Sequence, residues 1–436
     1  MSKDLFDLPE GWSWQPLSAL AEIVSGGTPS REVAEYWSPA EIAWVTPTDI
    51  TGSDGRHLTS SKERISKAGL QKSSAAMLPV GTVLMTSRAT LGQAKISAVE
   101  CCTNQGFKSL VPKTGVPSEY LYYLVQLFKT RYEQLGIGST FLEVSKKDTE
   151  KFMLPVAPEG QRISIAKILG CVDNQIDATQ ALIDKCTAIK QGMMADLFSR
   201  GIDPETKALR PTFEEAPELY HKTPLGMLPK GWDVKTLGNA INGSGFIQTG
   251  PFGSQLHAYD YVDSGIPVVM PQDIVQGRIS IEKIAYITET KASSLSRHKL
   301  KLNDVIFSRR GDLTRSSFVD VQNGYEGFLC GTGCLLMRVD ASNIVGGWFS
   351  YMYSSDLVQR QVEGLAVGTT MPNLNGSILK KLIIPFPSVE EQTHIFSKIA
   401  AAQSLIDENA KHLGKLVAQK SGLMQDLLTG KVPVPA

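Results

Sequence analysis

Leu8-Pro9-Glu10-Gly11-Trp12 returns as Leu228-Pro229-Lys230-Gly231-Trp232, and this repetition decides how the chain divides. Residues 42–50, IAWVTPTDI, return as IPVVMPQDI at residues 266–274, and residues 56–88 run without a gap alongside residues 278–310. The offset drifts only from 220 to 231 residues along the chain. Solenoid repeats run to roughly 20–50 residues. The longer period here indicates a duplicated domain pair, which can imitate a two-fold dimer.

Composition limits the class of protein. The 436 residues are 42% hydrophobic and 20% charged, as in ordinary soluble globular proteins. No apolar run reaches the roughly 18–20 residues of a membrane helix, and MSKDLFDLPE does not have the pattern of a signal peptide. The six cysteines lack disulfide-scaffold or zinc spacing. We therefore expect a cytoplasmic chain without a metal site.

Two modules are each predicted to form a curved mixed sheet with flanking helices. Short Val, Ile, Thr, Tyr and Phe runs alternate with Gly, Pro, Ser and Asn, and residues 80–87 and 301–308 read as a turn leading into a buried strand. A helical pattern follows at residues 121–135, and a weaker one begins at Phe349. The predicted fold class is α+β. The predicted divisions are a first module at 1–155, a spacer helix at 156–200, a linker at 201–221, a second module at 222–385 and a spacer helix at 386–430.

Each spacer segment has apolar residues in alternating steps of four and three. This 3.5-residue period is typical of coiled coils. Polar exceptions fall at matching places, Thr179 with Asn409 and Lys190 with Lys420, and such residues cost stability while fixing register. The predicted apolar seam comprises Ile165, Leu169, Val172, Ile176, Ile183, Leu197, Ile399, Ile406, Leu413, Leu416, Leu423 and Leu427.

Two helices that each follow a copy of one module pack most simply antiparallel, with a module at either end. Each would be about 50 Å long, at 1.5 Å per residue. The expected molecule is a pseudo-two-fold dumbbell in which the helices hold the modules a fixed distance apart. The alternative is a pair of amphipathic helices that each lie on their own domain.

In sequence, the chain resembles the DNA specificity subunit of type I restriction-modification systems along essentially its whole length. The shared motifs are L-P-x-G-W, P-x-D-I, the Ser87-Arg88-Ala89-Thr90 and Ser308-Arg309-Arg310-Gly311 elements, the Gly138-Ser139-Thr140 turn with its copy Gly368-Thr369-Thr370, and a Pro-to-Gln junction before each helix. One departure is Gly160, which stands where the second junction has Glu391.

The resemblance implies that each module is a target recognition domain for half of a bipartite DNA site. It also implies that the helices carry methylation subunits, expected to be two, and that restriction or translocase subunits join the assembly. S-adenosylmethionine, ATP and Mg²⁺ would then belong to these partners, with no cofactor in this chain.

Catalytic motifs are absent from the sequence. An adenine methyltransferase needs a Pro-Pro element, and the chain has none. No phosphate-binding G-x-x-x-x-G-K-[ST] loop is present, and Gly364-Leu365-Ala366-Val367-Gly368-Thr369-Thr370 lacks the lysine. The six histidines show no nucleophile or metal spacing. We therefore expect a non-catalytic chain.

DNA reading requires polar and basic side chains on exposed loops. Net charge is zero, but bases cluster in residues 56–72 and 309–315, so neutrality does not exclude DNA. Candidate contacts in the first module are Thr28, Ser30, Arg31, Lys62, Arg64, Ser87, Arg88, Thr90, Gln105, Lys108 and Thr140. Those in the second are Gln248, Ser254, Gln255, Arg278, Arg309, Arg310, Arg315, Thr332, Thr370 and Asn373.

The alternative interpretation of any one of these arginines is a solvated or ion-paired surface residue with no role in DNA binding. Residues 56–72 read as a phosphate-tracking face or as an exposed amphipathic helix, and both can hold. For the whole chain, the alternatives to a DNA-reading subunit are a coiled-coil scaffold whose modules bind protein and an enzyme with an unrecognised site.

Overall fold

The duplicated sequence folds into two compact units in the computed structural model, which describes residues 6–88, 90–136, 142–366 and 373–435. Unit 1 comprises Met1–Ile183 with Glu408–Ala436, and unit 2 comprises Asp184–Asp407. Each unit therefore contains one module together with part of each spacer segment, whereas the sequence-based divisions placed the spacers outside the modules.

Unit 1 is built mostly from short strands. They are β1 Ser13–Pro16, β2 Ala21–Ser25, β3 Ile42–Val45, β4 His57–Leu58, β5 Glu63–Ile65, β6 Val83–Met85, β7 Ala94–Ser97, β8 Cys101–Thr103, β9 Lys108–Pro112 and β10 Met153–Val156. The helices are α1 Leu17–Leu20, α2 Pro47–Thr51, α3 Lys67–Gln71, α4 Ser118–Leu127, α5 Lys129–Glu133 and α6 Lys146–Glu150, with a 3-10 turn at Ala34–Tyr36. The long helix α7, Glu159–Ser199, begins in unit 1 and ends in unit 2.

These strands form two main sheets rather than the single curved sheet expected. The larger has the order β2-β9-β6-β7-β4 and the smaller β5-β3-β8, and β1 pairs with β10. The pairs β4 with β7 and β3 with β8 are parallel, so both sheets are mixed. Residues 56–72 contain β4, β5 and α3, so the amphipathic-helix interpretation was wrong beyond α3 itself.

Unit 2 repeats the plan. Its strands are β11 Tyr220–Thr223, β12 Gly226–Pro229, β13 Asp233–Thr236, β14 Gly245–Thr249, β15 Tyr261–Val262, β16 Ile266–Val269, β17 Ile274–Val275, β18 Arg278–Ile279, β19 Ala285–Ile287, β20 Val305–Ser308, β21 Ser316–Phe318, β22 Leu329–Cys330, β23 Cys334–Val339 and β24 Ile383–Phe386. Its helices are α8 Leu237–Ala240, α9 Glu289–Ser294, α10 Gly346–Tyr353, α11 Asp356–Ala366 and α12 Gly376–Lys381. The long helix α13, Val389–Leu427, begins in unit 2 and ends in unit 1. Short 3-10 turns occur at Pro217–Leu219, Ala258–Asp260, Pro271–Asp273 and Ser296–His298.

Its main sheets have the orders β14-β23-β20-β21 and β15-β19-β16-β22, and β13 pairs with β24 as β1 pairs with β10. The strand predictions at 80–87 and 301–308 are confirmed by β6 and β20, both fully buried. The pattern at 121–135 forms α4 and α5, which meet at Phe128, and the weaker pattern forms α10.

Every predicted seam residue on α7 and α13 is buried or half-buried. In unit 1, Ile165 and Leu169 of α7 share a core with Leu427 of α13. In unit 2, the opposite ends meet, and Leu197 packs in one core with Ile399. The two helices are therefore antiparallel within each unit. No helix in the described part of the chain is long and apolar enough to span a bilayer.

Lysines at matching seam positions bridge α7 and α13. Lys190 donates to Gln403 Oε1 at 2.7 Å in unit 2, and Lys420 lies 2.6 Å from Asp173 Oδ1 in unit 1. Asp173 and Gln403 are themselves 230 residues apart, as are Lys190 and Lys420. Thr179 instead donates to Gln175 O of its own helix at 2.7 Å.

Candidate nucleic-acid interface

Loops from separate parts of unit 1 meet at one end of its larger sheet. Gly27 N donates to Thr103 O at 2.9 Å, Ser87 N to Gly106 O at 2.7 Å, and Val144 N to Ser87 O at 3.1 Å. Thr28 Oγ1 donates to Gln105 Oε1. Residues 26–31, 104–106 and 142–144, together with Ser87 and Arg88, are called loop edge 1.

Two of these backbone contacts recur in unit 2, where Arg309 N donates to Gly333 O at 2.9 Å and Leu374 N donates to Arg309 O at 3.0 Å. The first loop is held differently, because Gly250 N donates to Cys334 O at 3.0 Å. Residues 250–255 and 331–333, together with Arg309, Arg310 and Asn373, are called loop edge 2. The hydrogen-bond pattern makes Arg310 the structural twin of Arg88, and Asn373 the twin of Glu143.

Glycine is required where the first loop of each edge turns. A Cβ on Gly26 would lie 2.0 Å from Asn104 O, and one on Gly250 would lie 1.8 Å from Gly331 O. Both contacts are with backbone that cannot move aside, so a larger residue would push the loop off the sheet. The two edges therefore share a fixed frame that carries different side chains.

Charge in loop edge 1 is partly neutralised by an acid. Arg88 lies 2.8 Å from Glu143 Oε2, and Lys108 Nζ lies 3.5 Å from Glu143 Oε1. Burial acts to raise the pKa of the Glu143 carboxyl, but the hydrogen bond and charge of Arg88, aided by Lys108, outweigh it and the pKa is lowered. Burial also lowers the pKa of the Lys108 ammonium, against the opposing charge of Glu143.

Two predicted contacts of this edge need correction. Ser87 is fully buried, and Lys108 is 5% exposed and donates to Ser87 Oγ at 3.2 Å. Neither side chain is accessible to DNA in this conformation, because both are buried. Lys108 instead contacts Ser87 and Glu143 inside the protein. Exposed Thr28, Ser30, Thr90 and Gln105 remain accessible.

Arg31 and the basic stretch after it are exposed but engaged. Arg31 pairs with Glu63 at 2.5 Å, and its guanidinium lies 3.8 Å from the centre of the Trp37 ring. Arg64 donates to the carbonyl oxygens of Ala40 and Glu41. Lys62 has an exposed side chain. These contacts hold Arg31 and Arg64 at the surface. Contact of these residues with DNA stays a prediction.

Loop edge 2 carries arginines without an acid. Arg309 Nε donates to Asn373 Oδ1 at 3.1 Å, and its guanidinium lies 5.7 Å from the centre of the Phe252 ring. Arg310 is exposed, and among the described residues neither arginine has a carboxylate within ion-pair distance. Arg315, by contrast, pairs with Asp312 at 3.1 Å and also donates to Pro271 O.

The other candidate DNA contacts of unit 2 lie in loop edge 2 or close to it. Ser254 and Gln255 are exposed in the first loop, and Thr332 is half-buried beside it. Gln248 donates its amide to Arg297 O at 2.6 Å. Thr140 and Thr370, with the Gly-Ser-Thr and Gly-Thr-Thr turns that contain them, lie outside the described residues.

Arg278 is a second correction, since it is ion-paired with Asp407 of α13 rather than free in a loop. Its twin, Arg56, lies 3.8 Å from Asp177 of α7 and donates to Asn174 Oδ1 at 2.7 Å. Asp177 and Asp407 are 230 residues apart, so the whole ion pair is duplicated. Within each unit, this pair ties the module to a helix.

The entry tryptophans form another duplicated contact that sequence reasoning missed. Trp12 Nε1 donates to Gln161 Oε1 at 3.1 Å, and Trp232 Nε1 donates to Glu391 Oε1 at 3.2 Å. Gln161 is therefore the structural twin of Glu391, which corrects the earlier pairing of Gly160 with Glu391. The available signal was the 230-residue offset of the helical seam, which already aligns Gln161 with Glu391.

Known proteins share this duplicated architecture. The family model for the type I restriction modification DNA specificity domain matches residues 9–188 and again 229–415. The MjaIX specificity subunit of Methanocaldococcus jannaschii is 28% identical, over 99% of this chain and 96% of the relative. The chain belongs to the type I restriction-modification DNA specificity family and carries its domain twice.

Solved structures agree on the fold. The type I restriction-modification S subunit from M. genitalium superimposes with a TM-score of 0.61 at 13% identity, covering 100% of this chain and 99% of that one. A chain from a structure describing complex assembly and conformational transition of the type I system gives a TM-score of 0.52 at 17% identity. That match covers 98% of this chain and all of the other.

Proposed function

We propose that this specificity subunit reads a bipartite duplex DNA target, with loop edge 1 contacting one half-site and loop edge 2 the other. The observation that carries the proposal is the duplicated frame, in which Arg88 and Arg310 occupy the same position on two edges with different surrounding side chains. Arginine is suited both to phosphate contact and to bidentate contact with guanine. Because the side chains of the two loop edges differ, we expect the two half-sites to differ in base sequence.

We expect partner subunits to catalyse the methylation and restriction reactions. Membership of the family makes the chain part of a type I complex, and we propose that methylation subunits bind it along the helices, with restriction subunits joining them. S-adenosylmethionine, ATP and Mg²⁺ would be used by those subunits. The chain itself would supply recognition without catalysing a step.

A spacing role for the helices is also part of the proposal. α7 and α13 each run without interruption through residues of both units. A continuous helix rises about 1.5 Å per residue and resists shortening. The number of base pairs between the half-sites should therefore depend on helix length, and base identity on the loop edges.

Methylated-base mapping of the source genome, with and without this gene, tests the function. The proposal expects one bipartite motif, with two unlike halves and a constant spacer, to lose methylation when the gene is deleted. A contiguous motif, or a methylation pattern unchanged by the deletion, would count against it. A scaffold whose modules bind protein would show partner binding that duplex DNA does not compete away.

A further inference from the structure

Phe252 places an exposed aromatic ring in the middle of loop edge 2. Phe252 is 52% exposed, and it follows Gly250 and Pro251 at the end of β14. Isolated surface apolar residues are common and need no explanation. Its position nevertheless matters, because the equivalent residue in loop edge 1 is Thr28, a candidate DNA contact.

The backbone beneath the ring is firmly held. Phe252 N donates to Gln255 Oε1 at 3.2 Å, and Phe252 O accepts from Gln255 N at 2.7 Å and from Leu256 N at 3.2 Å. Leu256 is buried in a core cluster, and Gly250 is pressed against the backbone of Gly331. The loop therefore presents the ring outward without having to reorganise.

One arginine contacts the ring, and among the described residues it has no acid partner. The Arg309 guanidinium lies 5.7 Å from the ring centre, Arg309 Nε donates to Asn373 Oδ1, and exposed Arg310 follows in sequence. Aromatic rings interleaved with unpaired arginines suit nucleic acid, because the arginines hold phosphates while the ring stacks on a base.

Polar groups line a cleft directly beside the ring. The cleft has a volume of about 350 Å³, and Phe252, Gln248, Gln255, Arg297 and His298 contribute to its walls. Glutamine amides are suited to hydrogen bonding with base edges. The ring therefore lines a cleft with polar walls, in which Gln248 Nε2 donates to Arg297 O and Gln255 Oε1 accepts from Phe252 N.

We propose that Phe252 stacks on a base of the half-site read by unit 2, acting as an apolar wedge at one base step. The inference rests on the proposed function and adds a specificity-determining residue to it. Apolar wedges of this kind partly unstack a base step and widen the protein contact. The wedge makes recognition by unit 2 sensitive to how easily that step opens, and Thr28 gives unit 1 no equivalent.

Phe246 provides a matched control within the same unit. It is 41% exposed, and the Arg338 guanidinium lies 5.5 Å from its ring centre. Arg338, however, is paired with buried Asp304 at 2.6 Å, so its charge is neutralised. Phe246→Ala removes a similar exposed ring beside an arginine that is not available to phosphate.

The test uses the full chain assembled with its methylation subunits and a duplex that contains the mapped bipartite motif. Phe252→Ala should weaken binding by roughly 5- to 150-fold, since stacking on one base is worth about 1–3 kcal/mol and 1.4 kcal/mol is tenfold. Phe252→Trp should retain affinity, and Phe246→Ala should stay within about twofold of wild type. Circular dichroism of each variant checks folding.

A fluorescent readout distinguishes a wedge from a general loss of affinity. Duplexes carrying 2-aminopurine at successive positions of one half-site should show increased emission at a single step with the wild-type and Phe252→Trp complexes. That signal should be absent with saturating Phe252→Ala complex. Equal affinity and equal emission for wild type and Phe252→Ala would overturn the inference. Failure of the wild-type complex to prefer the motif over a scrambled duplex would instead overturn the proposed function.

Discussion

At the residue scale, the two loop edges differ most in the groups that face their arginines. Glu143 pairs with Arg88 in unit 1, whereas its twin in unit 2 is the uncharged Asn373. Because Asn373 carries no charge, it does not neutralise Arg309 or Arg310, and both guanidinium groups can contact phosphates or bases. Loop edge 2 should therefore depend more strongly on salt than loop edge 1.

Arg310→Ala should weaken binding of the assembled complex to its duplex by about 1–3 kcal/mol if the arginine reads a base. If it holds a phosphate, the slope of log affinity against log salt should fall by about one, with little change in base preference. Binding isotherms at several salt concentrations separate these two cases. Arg315→Ala, which removes an arginine already paired with Asp312, is the control and should change affinity less. Unchanged affinity and slope in Arg310→Ala would remove this residue from the interface.

Glu391 is a residue-scale determinant of stability. It is 5% exposed and accepts from Ile202 N at 2.8 Å and Trp232 Nε1 at 3.2 Å, and it pairs with Arg210 at 2.5 Å. Glu391→Ala would leave a largely buried guanidinium without its partner. We expect a loss of about 3–5 kcal/mol in the unfolding free energy of unit 2.

Gln161→Ala is the matched variant in unit 1, where the tryptophan meets a neutral acceptor. It removes one hydrogen bond and should cost only about 0.5–1.5 kcal/mol. Urea unfolding of both variants gives the comparison. Equal losses would show that Arg210 contributes nothing to the difference.

At the element scale, the long helices were predictable and the loop edges only partly so. The seam follows from spacing alone, since a 3.5-residue period can bury one face of a helix wherever the partner lies. Burial of Lys108 could not be predicted, because it depends on Glu143, which is distant in sequence and approaches only in the fold. The ion pair of Arg278 with Asp407 was hidden for the same reason, although both members repeat at the expected offsets.

The two seam lysines should respond differently to removal. Lys420→Met would leave buried Asp173 with the Tyr123 hydroxyl at 2.6 Å and Arg56 at 3.9 Å, but without its closest cation. We expect unit 1 to lose roughly 1–3 kcal/mol, less than for a fully stranded charge.

The paired variant Lys190→Met with Gln403→Leu removes both polar partners of the equivalent bridge in unit 2. Its unfolding free energy should be unchanged or raised by up to about 2 kcal/mol, because burial disfavours the charged lysine and apolar seam residues pack without that cost. Burial lowers the pKa of Lys190, consistent with this direction. Thermal unfolding monitored by circular dichroism checks both variants, and a large loss in the paired variant would contradict the explanation.

At the scale of the whole molecule, the chain is one module used twice, with each copy tied to the helices by the same contacts. Arg56 and Arg278 pair with helix aspartates, and Trp12 and Trp232 donate to the first turn of α7 and α13. The attachment to the helices is duplicated, whereas the loops differ between the two copies. We therefore expect the loops to determine the base sequence of each half-site and the helices to determine the spacing between the half-sites. The two properties should therefore be changeable independently.

Adding one heptad to α7 after Ile183 and one to α13 after Asp407 tests the spacing role. Seven residues preserve the seam register and lengthen each helix by about 10.5 Å, which corresponds to roughly three base pairs at 3.4 Å each. The methylated motif should gain about three base pairs of spacer with both half-sites unchanged. Altered half-sites with the original spacer would refute this role, and insertion into one helix alone is the mismatched control.

Exchange of the second module tests whether the two units read their half-sites independently. Residues 222–385 would be replaced by the equivalent segment of a specificity subunit with known half-sites, and the methylated motif mapped by sequencing the genome of a host that expresses the complex. We predict that one half of the motif is replaced by the donor's half-site, while the other half and the spacer stay as in the wild type. A change in both halves, or in neither while methylation persists, would contradict independent reading by two units.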